Sequence, residues 1–253
     1  MDDPNEPGLA DLHIHTSDGD GMASIEEILD SVGGAGELSV IAITEHDDIT
    51  PALKARERWA RGSHGFDLVT GMEVTTRSGH IIALFVDRPI RSFLTPDETI
   101  AAIHEAGGMA LIPHPLSWLT RSVGERAMNR LLADPETTPD GLEISPSPAA
   151  RITAARARRL NERWGLPEYG SSDAHFLEAV GSAVTHFPGR SADDLRRALE
   201  AGATRAEIRR LVGPAQLGWR KVVRQQWRGL CVTPRKIVGP RVRQLLGRAR
   251  AGP

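Results

Sequence analysis

Cysteine is almost absent: Cys231 stands alone among 253 residues. No internal disulfide can form and no thiolate cage can hold a metal, so any bound metal must rely on imidazole and carboxylate, ligands that suit Zn, Mn or Fe. Aromatic residues make up 4% of the chain against 40% hydrophobic residues, which leaves Leu, Ile, Val and Ala to fill a core. The acidic opening MDDPNEPGLADLH lacks the basic and apolar regions of a signal peptide, and no apolar run is long enough for a membrane span. A cytoplasmic location is therefore expected. Acidic residues are missing from residues 208–253, which carry 12 Lys and Arg and no Asp or Glu. The net charge of −2 thus hides an acidic body and a basic tail, two regions with different partners.

The rest of the chain alternates. Short apolar runs at 9–13, 40–44, 66–76, 80–86, 109–113, 141–145 and 169–172 read as strands. Helical patterns separate them. Ser24 is a cap, Glu26 and Glu27 favour the first turn, Ile25, Ile28, Leu29 and Val32 form an apolar face, and Gly33-Gly34 is expected to stop that helix. Further helices are expected from Pro51 to about residue 61, from Thr95-Pro96-Asp97-Glu98 to Gly107-Gly108, and over 123–133, 149–164 and 191–201. Strands alternating with helices imply a parallel sheet or barrel, with room for about seven units before residue 205. Length and charge divide the chain into a barrel over 1–207 and a basic extension over 208–253.

Eight residues at five places read as one metal cluster: His13, His15, Asp20, His46, Glu73, His114, Asp173 and His175, with His80 a candidate ninth. Most follow an apolar run or flank a Gly, Pro or Ser turn, where a strand ends and a loop begins, so donors from several strands can converge on one point. In Asp11-Leu12-His13-Ile14-His15 alternate residues share a face, which aims both histidines together and places Asp11 to accept an imidazole N–H. Glu45-His46 follows the second run, Glu73 follows Gly71, His114 lies between two prolines, and Asp173-Ala174-His175 repeats the alternation.

The motifs DLHIHT, ITEHDD, GMEVTT, PHP and GSSDAH together resemble those of the polymerase and histidinol phosphatase (PHP) family, over roughly residues 9–190. The resemblance implies an α/β fold, a distorted (β/α)7 barrel, with two or three divalent metal ions (Mn2+, Zn2+ or Fe2+) at the C-terminal ends of its strands. It places His13, His15, Glu73 and Asp173 on one metal. Glu73 would bridge to a second, also held by His80 and His114, and Asp20, His46 and His175 would hold a third. The family often has Asp where Glu45 stands, a departure that should leave His46 undisturbed. Asp20, five residues after His15, fits the branch of nucleoside 3′,5′-bisphosphate phosphatases and 5′→3′ exonucleases; histidinol phosphatases more often place histidine there. Those bisphosphate phosphatases carry an inserted domain between the Glu and the HP motif. Here 41 residues separate Glu73 from His114, too few for it.

Such a cluster clamps phosphate oxygens and lowers the pKa of a bound water, so hydrolysis of a phosphate ester by a metal-bound hydroxide is expected. A nucleotide or a 5′-phosphorylated oligonucleotide is the expected substrate. The alternatives are a small metabolite resembling histidinol phosphate and a metal-binding module without turnover. Candidates for catalysis are Asp20, His114 and His175, joined by Glu143 and His186 for roles beside the metals or on the substrate. Asp47 and Asp48 are expected to cap the next helix. Trp118 and Tyr169 are candidate surfaces on which a base stacks. In the extension, Trp219, Val222, Val223 and Trp227 recur at near-helical spacing among Arg220, Lys221, Arg224 and Arg228, and Ile237, Val238, Val242, Leu245 and Leu246 lie among further basic residues. Three readings fit it: contact with an anionic membrane, contact with a nucleic acid backbone, or a solvated arm partly packed on the barrel. No partner protein is implied.

Overall fold

A computed structural model describes residues 7–231. Residues 232–253, which hold Ile237, Val238, Val242, Leu245 and Leu246, lie outside the described residues. Nine strands form one sheet in the order β7-β6-β5-β4-β3-β2-β1-β8-β9. They are β1 (Gly8–Ile14), β2 (Val40–Ile43), β3 (Asp67–Thr76), β4 (Gly79–Leu84), β5 (Met109–Ile112), β6 (Gly141–Ile144), β7 (Glu168–Gly170), β8 (Ala183–Phe187) and β9 (Arg205–Ile208). The sheet curls until β7 meets β8. Gly170 N donates to Thr185 Oγ1 at 3.0 Å and Thr185 Oγ1 donates to Gly170 O at 2.8 Å. A Cβ on Gly170 would stand 2.1 Å from Val184 O, so this near-closure of the barrel requires glycine.

Six helices pack around the outside, α1 (Ile25–Ala35), α2 (Thr50–Trp59), α3 (Pro96–Glu105), α4 (Glu125–Leu131), α5 (Pro148–Arg151) and α6 (Ala154–Trp164), and α7 (Ala192–Glu200) packs against the other face of the sheet. Capping boxes at Ser24, Thr95 and Ser191 start α1, α3 and α7, where they satisfy otherwise orphaned N–H groups. Alternate strand residues sort into two cores. Ile14, Ile41, Ile43, Met72, Ile81 and Ile112 pack with the helix residues Ile28, Ile100 and Ala157. Ala10, Leu12, Val40, Ala42, Val69, Ile82, Leu84 and Leu111 form the second core on the other face, with Leu195, Ala198 and Leu199 of α7. Both faces of the sheet are thus buried, as the continuous apolar runs require.

Four local expectations are corrected. Gly33-Gly34 lies inside α1, which ends only where Gly36 takes a left-handed φ of 65°; glycine weakens a helix interior without stopping it. The expected helix over 149–164 is two pieces, with Ile152 and Thr153 between them. Strand β4 is antiparallel to β3 and β5, so the third and fourth strands form a hairpin. Strands β8 and β9 fell in segments without a strand reading; β8 runs antiparallel to β1, and β9, antiparallel to β8, completes the wall. Among the described residues no helix is long and apolar enough to cross a membrane.

Candidate metal centre

Strands β1, β2, β3, β5, β6 and β7 run the same way, so their C-terminal ends share one rim. His13 and His15 come from the end of β1, His46 follows β2, Glu73 lies in β3 beside His46, His114 follows β5, and Asp173 and His175 follow β7. His80 is the second residue of β4 and pairs across from Thr75. Because β4 is reversed, its start lies on the rim where the other strands end. Asp20 arrives on the loop between β1 and α1. His114 and Asp173 hold positive φ angles of 31° and 52°, a strained conformation for residues with side chains and one that concentrates at functional sites.

Glu73 stands at the centre. Its Oε1 lies 2.7 Å from His80 Nδ1 and 2.9 Å from His114 Nε2. Its Oε2 lies 3.2 Å from His13 Nε2, 3.4 Å from His15 Nε2 and 3.1 Å from His46 Nδ1. Asp173 Oδ1 is 3.6 Å from the Nε2 atoms of His13 and His15. Asp20 Oδ2 is 3.5 Å from His175 Nε2 and 3.9 Å from His46 Nε2. The donors form three overlapping groups, each within 4.8 Å: His15, Asp20, His46 and His175; His13, His15 and Asp173; and His46, Glu73 and His80. The grouping differs from the one implied by resemblance: His15 and His46 each reach two groups, Glu73 falls in one, and His114 falls in none.

The donors fit divalent ions. Ligands about 2.1 Å from a tetrahedral ion stand about 3.4 Å apart, near the separations here. Asp20 Oδ1 is buried with no hydrogen-bond partner, and His46 Nδ1, though 3.1 Å from Glu73 Oε2, makes no aligned hydrogen bond to it; a buried lone pair without a partner is costly unless a cation meets it. His13 and His15 turn their Nε2 atoms toward each other at 3.1 Å. Their Nδ1 atoms are engaged behind: His13 with Glu143 Oε1 at 2.8 Å, His15 with Glu45 Oε1 at 3.2 Å. His114 Nδ1 meets Ser122 Oγ at 2.9 Å. A carboxylate or hydroxyl behind each ring fixes the tautomer whose Nε2 lone pair faces the cluster.

Electrostatics follow from burial and mutual charge. Burial alone would lower the pKa of His13, but the carboxylates of Asp173, Glu73 and Glu143 outweigh it and raise the value well above normal. Burial also opposes ionisation of Asp20, yet His175, His15 and His46 drive its pKa far down. For His46 burial prevails and the pKa falls to about 4, leaving a neutral imidazole able to ligate at neutral pH.

Several candidates sit elsewhere. His186 is at the opposite rim, because β8 is antiparallel to β1 and pairs His186 with Leu9, and its ring bonds Glu207; it takes no part in this cluster. Glu143 is buried behind His13 and also accepts from His114 N and Ser171 Oγ, so it is placed to hold ligands and not substrate. Asp11 does not reach an imidazole. Between Asp11 and Ile14 strand β1 advances three residues while β2 advances two, a bulge that puts Asp11 out of phase with His13. Asp11 instead accepts from Ser172 N, Ser172 Oγ and Gly181 N, and burial raises its pKa to about 6 against those bonds. Asp48 accepts from Thr50 N at the start of α2, whereas Asp47 ties the loop to β3 through Thr75 N and Oγ1 and to Ser92. Tyr169 is fully buried and offers no stacking surface, while Trp118 is 72% exposed. The supports Glu45 and Ser122 were not anticipated, since nothing local marks a residue that will stand behind a ligand from another strand.

The cluster floors a cavity of about 460 Å3. Residues 152–204 match a family model described as PHP-associated. The uncharacterized protein MJ1587 of Methanocaldococcus jannaschii is 36% identical over 146 residues, 53% of this chain and 80% of that protein. The 5′-3′ exoribonuclease Rnm of Escherichia coli is 34% identical over 93 residues, 34% of this chain but only 31% of the exoribonuclease. Among solved structures, a two-domain protein from Bacteroides vulgatus containing a predicted PHP-like metal-dependent phosphoesterase superposes with TM-score 0.67 at 20% identity, covering 88% of this chain and 71% of that one. PsfC from Pseudomonas syringae gives TM-score 0.63 at 18% identity over 88% of this chain and 98% of that one. Fold and donor set define a nearly closed α/β barrel suited to hold divalent metal ions at its mouth. The chain belongs to the PHP family.

Proposed function

We propose that the chain hydrolyses a phosphate ester, with His13, His15, Asp20, His46, Glu73, His80, His114, Asp173 and His175 holding two or three divalent ions. The observation that carries this reading is the convergence of these donors beneath one cavity, which Asp20, His46, Glu73, His114, Asp173 and His175 line, with Asp20 Oδ1 buried and unpartnered. Bound there, divalent ions would neutralise phosphoryl charge and acidify a water. The chain's residues do the rest. Glu143, Glu45 and Ser122 hold the imidazole rings in their ligating tautomers. Glu73, touching five imidazoles, is the natural bridge between ions.

A nucleotide-sized ester suits a cavity of about 460 Å3. A 5′-phosphorylated oligonucleotide is the second reading, favoured by the likeness to the exoribonuclease over 93 residues. The test is release of phosphate or mononucleotide from adenosine 5′-monophosphate, adenosine 3′,5′-bisphosphate and a 5′-phosphorylated oligoribonucleotide, with Mn2+ supplied. His114→Ala and Asp173→Ala are expected to abolish turnover while leaving the far-UV spectrum largely intact. Full activity in both variants overturns the proposal.

A further inference from the structure

The basic extension roofs the site. Arg209 N and Arg210 N bond Ser182 O, the short helix α8 (Pro214–Leu217) follows, and a longer helix over 219–231 crosses the mouth. Val222, Gln225, Gln226 and Gly229, at helical spacings of three, four and seven residues, line the cavity floored by the metal-ligand cluster. Gln225 is only 7% exposed. Gly229 lies against a ligand: a Cβ there would stand 3.3 Å from Asp20 Oδ2. Arg228 Nη2 fastens the helix to the Asp20 loop, donating to Ser17 O at 2.6 Å and Gly19 O at 2.7 Å.

The extension's positive charge goes elsewhere. Arg209 pairs with Glu37, Lys221 with Glu178, and Arg210 bonds the carbonyls of Glu178 and Val180. Arg220 and Arg224 are exposed. Among the described residues no Lys or Arg lines the cavity. Above its floor the lining is uncharged: apolar residues that include Leu119, Phe176, Leu217 and Val222, the hydroxyl residues Thr120, Ser147 and Ser182, and the two glutamine amides. A phosphoryl group drawn to the floor turns its leaving group toward this roof. A second phosphate there would lose water and gain no cation from the described residues, which is costly. A neutral leaving group meets apolar carbon and amides that pair with hydroxyl or ring nitrogen.

We infer that residues 209–231 form a neutral leaving-group pocket that selects phosphate monoesters of compact, uncharged alcohols over bisphosphates and oligonucleotides. The inference rests on the phosphoesterase reading above.

The test uses the full chain with Mn2+ and compares kcat/KM for adenosine 5′-monophosphate and adenosine 3′,5′-bisphosphate, which differ by one phosphate, and for a 5′-phosphorylated oligoribonucleotide. The monophosphate is expected to be preferred by about tenfold or more, and Val222→Lys and Gln226→Lys are each expected to narrow that preference. A preference for bisphosphate or oligonucleotide, or one unmoved by both substitutions, overturns the inference and leaves the phosphoesterase reading standing. If no ester is hydrolysed, the phosphoesterase reading falls and calorimetry decides the pocket. Phenylphosphonate binding more tightly than inorganic phosphate, with the difference reduced by Val222→Lys, supports it; equal affinities overturn it.

Discussion

Replacing Glu143 by Gln keeps the shape of the side chain and removes one acceptor. Glu143 Oε1 accepts from His13 Nδ1 at 2.8 Å and from Ser171 Oγ, while Oε2 accepts from His114 N. Glutamine has a single oxygen, so one side must fail. If its NH2 group turns to His114, two N–H donors face each other in a buried place, at about 1–3 kcal/mol. If the NH2 turns to His13, the imidazole must accept at Nδ1 and carry its proton on Nε2, the atom 3.2 Å from Glu73 Oε2 and 3.6 Å from Asp173 Oδ1. That tautomer cannot ligate. The expected result is a ~10–100-fold loss of metal affinity, about 1.4–2.8 kcal/mol. Thermal stability should fall by about 2–4 °C for each kcal/mol in a chain of this size. Isothermal titration with Mn2+ reads the first effect, and calorimetric unfolding in EDTA and in Mn2+ separates it from the second. An E143Q variant whose Mn2+ affinity stays within twofold of the parent, with unchanged melting in both conditions, refutes the reasoning.

Three other outcomes are expected. His186→Gln should leave metal content and turnover within about twofold of the parent, since His186 pairs with Leu9 at the far rim; loss of bound metal in that variant would contradict the strand directions. Asp47→Ala removes the acceptor of Thr75 N, Thr75 Oγ1 and Ser92 Oγ and should cost about 2–3 kcal/mol, measured by denaturant unfolding, with Asp47→Asn recovering part because asparagine tolerates the left-handed backbone at φ 53°. His104 donates to Asp140 at 2.9 Å, and this bond, opposed by partial burial, raises the His104 pKa. The pair's contribution is then full below the unfolded value of about pH 6.5 and lost as pH rises through the higher folded value, worth a few tenths of a kcal/mol at a partly exposed site. His104→Gln should flatten that part of the melting-temperature profile, and an unaltered profile would count against it.

Much of the site was legible along the chain because its donors obey local rules. His13 and His15 are two apart on a strand and face the same way, His114 lies between two prolines, and Asp173 and His175 follow a short apolar run. The apolar runs and the Ser24, Thr95 and Ser191 caps likewise located seven strands and most helices, since periodicity and capping depend on near neighbours. What was not legible depended on pairing across the molecule. A bulge against β2 moved Asp11 out of phase with His13, and reversed strands brought His80 to the mouth while carrying His186 away from it. Glu143 and Glu45 became supports only when β6 and the end of β2 met His13 and His15. The extension showed its charge in sequence, but only its packing revealed that Arg228 bonds two loop carbonyls and that Val222, Gln225 and Gly229 face the cavity. Residue type and spacing determined which atoms can bind a metal. Strand direction and register are set by contacts between residues far apart in the chain, and those contacts decided which donors met and what closed over them.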